Sequence, residues 1–172
     1  MMIIMYWPNW PVHTFWENIN IIESMQITSK FTVAVHILTC IEVFGEQMRV
    51  TSEFLSGSTG VNAVIIRNVL GLLREAGIVE TRQGSSGAYL TRSLDEITLY
   101  DIYLAVECID DDGLFRFHEN PNAQCPVGRN IHKVMDSRLA AAQTAMENEL
   151  KNTTLADIVT ETQQIISREE KR

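Results

Sequence analysis

The chain has 172 residues, of which 45% are hydrophobic and 21% charged, and its net charge at pH 7 is −8. This length suits one domain with an appendage, and the composition is that of an ordinary globular protein. Three widely spaced cysteines exclude a disulfide framework and indicate a reducing cytosol, and the apolar runs are too short or interrupted to span a bilayer. The sequence therefore predicts a cytoplasmic protein that does not interact with a membrane.

The acidic residues concentrate in the second half of the chain. Residues 25–92 hold six Lys or Arg and five Asp or Glu, whereas residues 93–172 hold eight and fifteen. A strongly acidic protein repels nucleic acid, but the near-neutral first half can still bind it. Its binding is expected to depend only modestly on salt unless two copies act together.

Residues 1–24 differ from the rest of the chain. They hold all three tryptophans and no basic residue, so they lack the positive start of a secretory signal. We interpret them as an N-terminal extension. One alternative is that translation of the native protein begins at Met25. The other is that the extension is genuine, and then it is either disordered or covers a surface with its aromatic side chains.

Apolar residues at helical spacing predict a first helix over residues 27–44, capped by Thr28 or Ser29. Cys40 is expected to be a small core residue, and His36 a tolerated helix residue rather than a ligand. The predicted apolar face consists of Phe31, Val35, Leu38, Ile41 and Val43.

Residues 51–76 have the order of a helix-turn-helix. A short helix capped by Thr51 or Ser52 is expected to end before residues 56–60 (SGSTG), because glycine and short hydroxyl residues disfavour helix. Asn62 is placed to cap a longer helix, and Gly77 to end it. This second helix, over residues 62–76, is the recognition helix, the element that would contact a binding partner.

Two short strand patterns, at 78–81 and 88–91, flank a Gly/Ser-rich tip at 84–87 and predict a hairpin wing. Residues 25–107 are therefore predicted to form a winged helix-turn-helix domain. The fold class is mostly α-helical with a small β wing, followed by a long C-terminal dimerisation helix.

A further helix is predicted from Thr98 or Asp101 to about Glu107, and residues 108–126 form a connector or sensor loop. The acidic triplet at 110–112 resembles the start of a calcium loop but lacks the later ligands, so no metal site is predicted. The apolar residues expected to be buried in the helix are Leu99, Ile102, Leu104, Ala105 and Val106.

The segment 127–166 is predicted to form the dimerisation helices. A long helix over 127–150 carries an apolar stripe, and Thr153 or Thr154 caps a last helix, after which residues 167–172 are expected to fray. The predicted interface stripe consists of Ile131, Met135, Leu139, Ala142, Met146 and Leu150. The alternative is that this stripe packs only on its own domain.

Three segments together resemble the Rrf2 family of bacterial transcription regulators over about residues 25–150. They are MQITSKFTVAVHILTCI, LREAGIVETRQGSSGAYLTR and ITLYDIYLAVE, and the later run NPNAQCPVGRNIHKVM is closest to the YwnA-like branch of the family. The resemblance implies a homodimer that binds a partly palindromic operator in double-stranded DNA, usually as a repressor. The recognition helix and wing would read the DNA, and the long helix would pair the protomers.

Cluster-binding members of that family carry three closely spaced cysteines in the loop after the AVE helix. Here the loop offers Cys125, with Cys108 seventeen residues earlier, and Cys40 lies in another element. Because thiolates must converge on one cluster, no iron–sulfur cluster or other cofactor is predicted. Cys125 is a candidate redox sensor held partly exposed by Pro126 and a following helix N-terminus, and the alternative is a small apolar filler.

The N-terminal end of the recognition helix is expected to enter the major groove. The residues expected to reach bases there are Thr59, Asn62, Ala63, Val64 and Arg67. Contacts with phosphate or the minor groove are expected from Ser29, Lys30, Arg82, Gln83, Ser85 and Ser86. Many family members have Arg where this wing has Gln83, with Arg82 one residue earlier, so the residue that the wing presents stays open.

The sequence contains no Gly-rich phosphate loop, no His-x-x-x-His pair and no nucleophile elbow, so an enzyme is not predicted. The alternative to a regulator is a winged-helix module that binds protein, which the net charge favours slightly. A dimeric regulator would have two reading heads, one winged helix-turn-helix domain from each protomer. A redox or small-molecule signal in the 108–126 loop would change the angle between them.

Overall fold

The computed structural model describes residues 29–82, 87–106 and 120–171. These ranges contain six α-helices and a two-stranded antiparallel sheet, with a 3₁₀ turn between β2 and α4. In chain order the elements are α1 (Ser29–Phe44), α2 (Ser52–Thr59), α3 (Ala63–Glu75), β1 (Val79–Arg82), β2 (Gly87–Leu90), α4 (Leu99–Val106), α5 (Ile131–Asn152) and α6 (Leu155–Glu169). No helix of the described ranges is long and apolar enough to cross a membrane.

Helix α1 lies at the centre of the domain and packs against α2, α3, α4, α6 and β2. Every residue from 37 to 41 is buried, so the helix is covered on most of its circumference rather than on one face. Cys40, predicted to be a small core residue, is 4% exposed. Val35 and Val43 of the predicted apolar face are only partly buried and pack at the edge of the core.

The caps predicted for the helix-turn-helix are confirmed. The Thr51 hydroxyl accepts a hydrogen bond from the Phe54 amide at 3.2 Å, and the Asn62 carboxamide oxygen accepts one from the Val64 amide at 2.8 Å. Helix α3 ends shortly before Gly77, as predicted. Sequence alone therefore located where both helices begin.

The turn between α2 and α3 is shorter than predicted: Gly60 lies in it, but the assignment of residues 56–59 to it was wrong. Helix α2 continues to Thr59, and Gly60 ends it with a φ of 70°. The Ser56 hydroxyl donates to the Val61 carbonyl and the Thr59 hydroxyl to the Leu55 carbonyl, both at 2.7 Å. These bonds, together with the full burial of Leu55, offset the low helix propensity of the segment.

The wing strands pair in an antiparallel register from Val79 opposite Leu90 to Arg82 opposite Gly87. Each strand lies one residue away from its predicted position. The predicted tip falls mostly on residues 83–86, which lie outside the described residues. At the base of the wing, the Ala88 amide donates to the Val50 carbonyl at 3.3 Å, so the segment before α2 joins the hairpin.

Helix α4 begins with a reciprocal cap between Thr98 and Asp101, in which each backbone amide donates to the other side chain at 2.9 and 3.1 Å. The prediction that Leu104 is buried was wrong, because its side chain is 49% exposed. Helix α4 meets α1 and α3 through Ile102, Tyr103 and Val106, and this orientation turns Leu104 to the surface.

Helix α5 begins at Ile131, four residues later than predicted. Consecutive tight turns precede it, closed by bonds from the Cys125 amide to the Asn122 carbonyl and from the Arg129 amide to the Cys125 carbonyl, both 3.0 Å. Cys125 therefore does not lie beside a helix N-terminus, contrary to the sequence prediction. Helix α5 packs against α4 and has no buried residue.

Helix α6 returns to the domain. The Thr154 hydroxyl and the Asp157 carboxylate form a capping box, and hydrogen bonds from the Thr154 amide and hydroxyl lower the pKa of Asp157. The Leu155 amide donates to the Ile97 carbonyl at 2.8 Å, and the side chains of Leu155 and Val159 are buried in the core. The helix continues to Glu169, so fraying from residue 167 was wrong for its first three residues.

We predict that Gly87→Ala destabilises the protein. Gly87 has a φ of 75°, and an added Cβ would lie 2.4 Å from the Val50 carbonyl oxygen. The backbone conformation alone is expected to cost about 1–2 kcal/mol of unfolding free energy, measured by urea denaturation. Gly57→Ala, in open space within α2, is the control and should stabilise the fold by about 0.5–1 kcal/mol. Equal stability of the two variants would contradict the tight contact with Val50.

Candidate DNA-binding surface

Helix α3 has one face in the core and the other in solvent. Ile66, Val69 and Leu73 are at most 1% exposed and recur every three or four residues, as in an amphipathic helix. Val64 and Ile65 are 55% and 47% exposed, although both are apolar. The exposed residues within its first two turns are Val64, Ile65, Arg67 and Asn68. These turns are free to enter a groove of a nucleic acid duplex.

A groove of about 650 Å³ separates the start of α1 from the exposed face of α3. Ser29 and Lys30 line one side, and Ile65, Arg67 and Asn68 line the other. Three of the residues predicted to contact DNA, from segments nearly forty residues apart, are thus brought to one surface. Ile65 and Asn68 also belong to it and were not predicted from the sequence, although their helical spacing beside Arg67 could have indicated them.

Arg67 is held by the first turn of α2. Its Nη1 lies 3.4 Å from the Ser52 hydroxyl and 3.5 Å from a Glu53 carboxylate oxygen. The two charged side chains are 55% and 73% exposed, so the pair is weak and can exchange for a stronger anion. Hydrogen bonds from the Glu53 backbone amide and from Ser52, and the charge of Arg67, lower the pKa of Glu53. This carboxylate is therefore charged at neutral pH.

A second groove, of about 320 Å³, lies on the other side of Arg67, between the start of α2 and the wing. Arg49, Ser52 and Glu53 line it together with Thr81 of the wing. Arg49 is exposed and was not predicted from the sequence. A basic residue just before a helix N-terminus is well placed for phosphate, and that position could have indicated it.

Two of the predicted base contacts have structural tasks, and a third is partly covered. The Thr59 hydroxyl donates to the Leu55 carbonyl and accepts from the Val61 amide at 3.2 Å, so the turn uses both of its functions. The carboxamide oxygen of Asn62 caps α3, and Ala63 is half buried. The exposed surface at the start of α3 is consequently supplied mainly by the residues that follow Ala63.

The predicted contacts of the wing remain predictions. Arg82 ends β1 opposite Gly87, and its side chain is not described. Gln83, Ser85 and Ser86 lie outside the described residues. In the described part of the hairpin, the Tyr89 hydroxyl donates to the Glu80 carboxylate across the two strands.

A helix-turn-helix whose second helix exposes its first turns, with basic side chains on both flanks and an adjoining two-stranded wing, defines the winged-helix class of DNA-binding proteins. The chain belongs to the Rrf2 family of transcriptional regulators. The sequence profile of this family, described as an iron-dependent transcriptional regulator, matches residues 27–161.

Individual relatives agree with that assignment. YwnA of Bacillus subtilis, named as an HTH-type transcriptional regulator, is 38% identical over 133 residues, which cover 77% of this chain and 96% of YwnA. A crystal structure described as that of a DNA-binding protein has a TM-score of 0.59 and 32% identity, and covers 76% of this chain and 98% of its own. T. potens IscR, at 20% identity and a TM-score of 0.60 over 80% and 88% of the two chains, shares the fold. The family and its named relatives are transcriptional regulators and not enzymes.

Because the family is described as iron-dependent, we tested whether the described residues fit a metal. Within the ranges that the structure describes, no three His, Cys, Asp or Glu side chains are grouped to hold an ion. The Cys40 Sγ lies 3.4 Å from the Ser58 hydroxyl inside the domain, whereas Cys125 lies in the turns before α5. Cys108 falls outside the described residues. The described side chains therefore do not fit an iron site.

We predict that Arg67→Ala weakens binding to operator DNA by about tenfold, because a contact to a base or phosphate is lost. Arg74→Ala, in the last turn of the same helix, is the matched control and should change the affinity much less. Fluorescence anisotropy with labelled DNA measures both. Equal losses in the two variants would show only a general charge effect.

The ion pair between Arg67 and Glu53 allows a second variant to be tested in the same DNA-binding measurement. Glu53→Gln removes a negative charge from the surface and releases Arg67, so the affinity should rise by about threefold. Glu161→Gln, which makes the same change on the exposed surface of α6, should leave the affinity unaltered. Weaker binding of Glu53→Gln would mean that Glu53 positions Arg67 instead of competing with DNA for it.

Proposed function

We propose that the chain acts in the cytoplasm as a homodimeric repressor that binds a partly palindromic operator in double-stranded DNA. A redox or small-molecule signal changes its affinity for that operator. The observation that carries this proposal is the groove in which the start of α1 faces the exposed first turns of α3. Membership of the Rrf2 family supports transcription regulation, and from it together with the groove we infer the homodimer, the repressor role, the operator symmetry and the signal.

The chemistry of the surface suits a duplex. Val64 and Ile65, both about half exposed, can pack against thymine methyl groups in the major groove, where base edges differ most. Arg67 can exchange Glu53 for a guanine edge or a phosphate. Ser29 and Lys30, across the groove from α3, are placed to contact the backbone of the same DNA.

The dimer proposal rests on α5. This helix has 22 residues, is about 33 Å long and has no buried side chain, although Val134 (50% exposed) and much of the predicted stripe are apolar. Of the stripe, Ala142 is exposed and the other five residues are half buried. An apolar helix face that its own domain covers only in part is typical of an interface, and a second copy supplies the same face in return.

A dimer with two DNA-binding domains also compensates for the low positive charge of a single domain. Residues 25–92 carry a net charge of only +1, so the electrostatic attraction of a single head for phosphate is small. Pairing through α5 doubles the contacts and fixes the distance between two copies of α3. Since half-sites on DNA are spaced by the helical repeat, a change in that distance changes affinity.

Selection of bound sequences from random DNA tests the proposed function. We expect enrichment of a site with two inverted halves about one helical turn apart. Affinity for that site should fall steeply as salt rises, because counterions are released from phosphate. Failure to enrich any sequence, or binding without salt dependence, would favour the alternative of a winged-helix module that binds protein.

A charged substitution in the α5 stripe tests the proposed dimer. Leu139→Asp should give a monomer in analytical ultracentrifugation and lose most operator binding, because a carboxylate cannot be buried there unpaired. Ser137→Asp, on the exposed side of the same helix, should leave both properties unchanged. A dimeric Leu139→Asp protein would place the interface elsewhere.

Cys125 is our candidate for a redox signal. It is half buried in the turns that lead into α5, where an added oxygen would disturb the packing at the base of that helix. Hydrogen peroxide should weaken operator binding of the native protein and of Cys108→Ser, but not of Cys125→Ser. An oxidant response retained in Cys125→Ser would exclude this thiol as the sensor.

A further inference from the structure

An apolar cavity opens between α1, α6 and the end of α2. Its volume of about 470 Å³ lies within the usual range for small-molecule sites in proteins. The apolar residues of its wall are Val35, Val43, Phe44, Ile158 and Ile166. Of the described residues that line it, none is Asp, Glu, Lys or Arg. A molecule placed there would meet mostly hydrocarbon and no carboxylate, ammonium or guanidinium group.

Three polar side chains run along one wall of the cavity. The Nε2 of His36 lies 3.0 Å from the Ser58 hydroxyl, and that oxygen lies 3.4 Å from the Sγ of Cys40. The hydroxyls of Thr39 and Thr162 instead donate to carbonyl oxygens of their own helices at 2.9 and 2.7 Å. The chain His36–Ser58–Cys40 is thus the polar feature that an occupant would bond to. His36, the outermost of these three side chains, is exposed at the cavity mouth.

We propose that this cavity is an effector site for an uncharged, largely apolar organic molecule of drug size with one hydroxyl or carbonyl group. Burial of a charged ligand without a counter-charge is costly, which selects for a neutral one. The single polar group would bond to the His36–Ser58–Cys40 chain. Ile166, at 36% exposure, would lose contact with water when the site is filled.

The position of the cavity links it to the reading head. Ser58 belongs to the last turn of α2, two residues before the glycine that separates α2 from α3. Phe44 of the cavity wall packs edge-on against Phe54 of α2, with ring centroids 5.5 Å apart. A ligand that contacts Ser58 and Phe44 therefore bears on the helix that orients α3. This regulatory step rests on the proposed function, whereas occupation of the cavity does not.

The site is separate from the proposed dimer interface. The wall opposite α1 is supplied by α6, whose Leu155 and Val159 are anchored in the core of its own domain. Helix α5, which carries the interface stripe, packs against α4 instead. Each protomer would therefore hold its own ligand, one per chain.

Fluorescence titration of the full-length protein with prodan, a neutral naphthalene dye with one carbonyl group, tests the cavity. We expect saturable binding of one dye per chain with a blue-shifted emission. Thr162→Trp should weaken it by about tenfold or more, because the indole fills the cavity. Thr160→Trp, on the exposed side of α6, is the matched control and should bind as the native protein does. Ser58→Ala should weaken binding by about fivefold through the lost hydrogen bond.

The outcomes separate the two proposals. Absence of saturable binding, or equal dye affinity in Thr162→Trp and Thr160→Trp, would overturn the cavity as a ligand site. Saturating dye should change the operator affinity of the native protein and of Thr160→Trp by about threefold or more, but not that of Thr162→Trp. Dye binding in the cavity without a change in operator affinity would overturn its role as an effector site. If the protein binds no DNA, the proposed function fails while the dye titration still decides the cavity.

Discussion

Burial of α1 between four other helices and the wing is the constraint on which the rest of the structure depends. Five consecutive residues of this helix, 37–41, are covered from different sides, so the reading head, the wing and α6 all use the same helix as their support. Its first residues face the groove beside α3, and its middle lines the apolar cavity. A displacement of α1 relative to α2 would consequently be felt at both places. If the proposed effector binds in the cavity, this shared support is the route by which it would influence the surface proposed to contact DNA.

The C-terminal helices divide two tasks between them. Helix α6 is joined to the domain by backbone hydrogen bonds from Leu155 to Ile97 and from Leu99 to Thr153, and it contributes to the same core. Helix α5 ends at Asn152, beside these anchored segments, and near its end the ring of Tyr100 lies 4.2 Å from the Lys151 ammonium. The C-terminal end of the long helix is therefore held by its own domain, and under the proposed function its stripe pairs with a second copy.

The sequence predicted the features that depend on local chemistry. Side-chain caps were predicted at Thr51 or Ser52, at Asn62, and at Thr153 or Thr154, and the structure has them at Thr51, Asn62 and Thr154. Residues 56–59 were assigned wrongly because the burial of Leu55 and the hydrogen bonds donated by the Ser56 and Thr59 hydroxyls outweigh the low helix propensity of this segment. Helix α5 starts later than predicted because hydrogen bonds of the Cys125 backbone close turns before it. The spacing of apolar residues does not indicate such turns.

The binding surface was predictable only in part for the same reason. Arg67, Ser29 and Lys30 could be selected by residue type and position within a helix-turn-helix, but the groove that unites them is a product of packing. Arg49 and the apolar cavity involve residues from separate segments, and no periodicity or spacing connects them. The attraction of Glu53 for Arg67 likewise appears only when α2 and α3 are placed side by side.

The contact between Val50 and Gly87 bears on how such a protein can diversify. It fixes the root of the hairpin to the segment before α2 through backbone atoms, so its geometry tolerates any side chain at position 50 that suits the core. Substitutions in the described part of the wing that preserve this backbone contact are therefore expected to leave α3 in place. Among the described residues of the hairpin, Gly87 lacks that tolerance because its φ is 75°, which makes it a marker by which diverged copies of this domain should be recognisable.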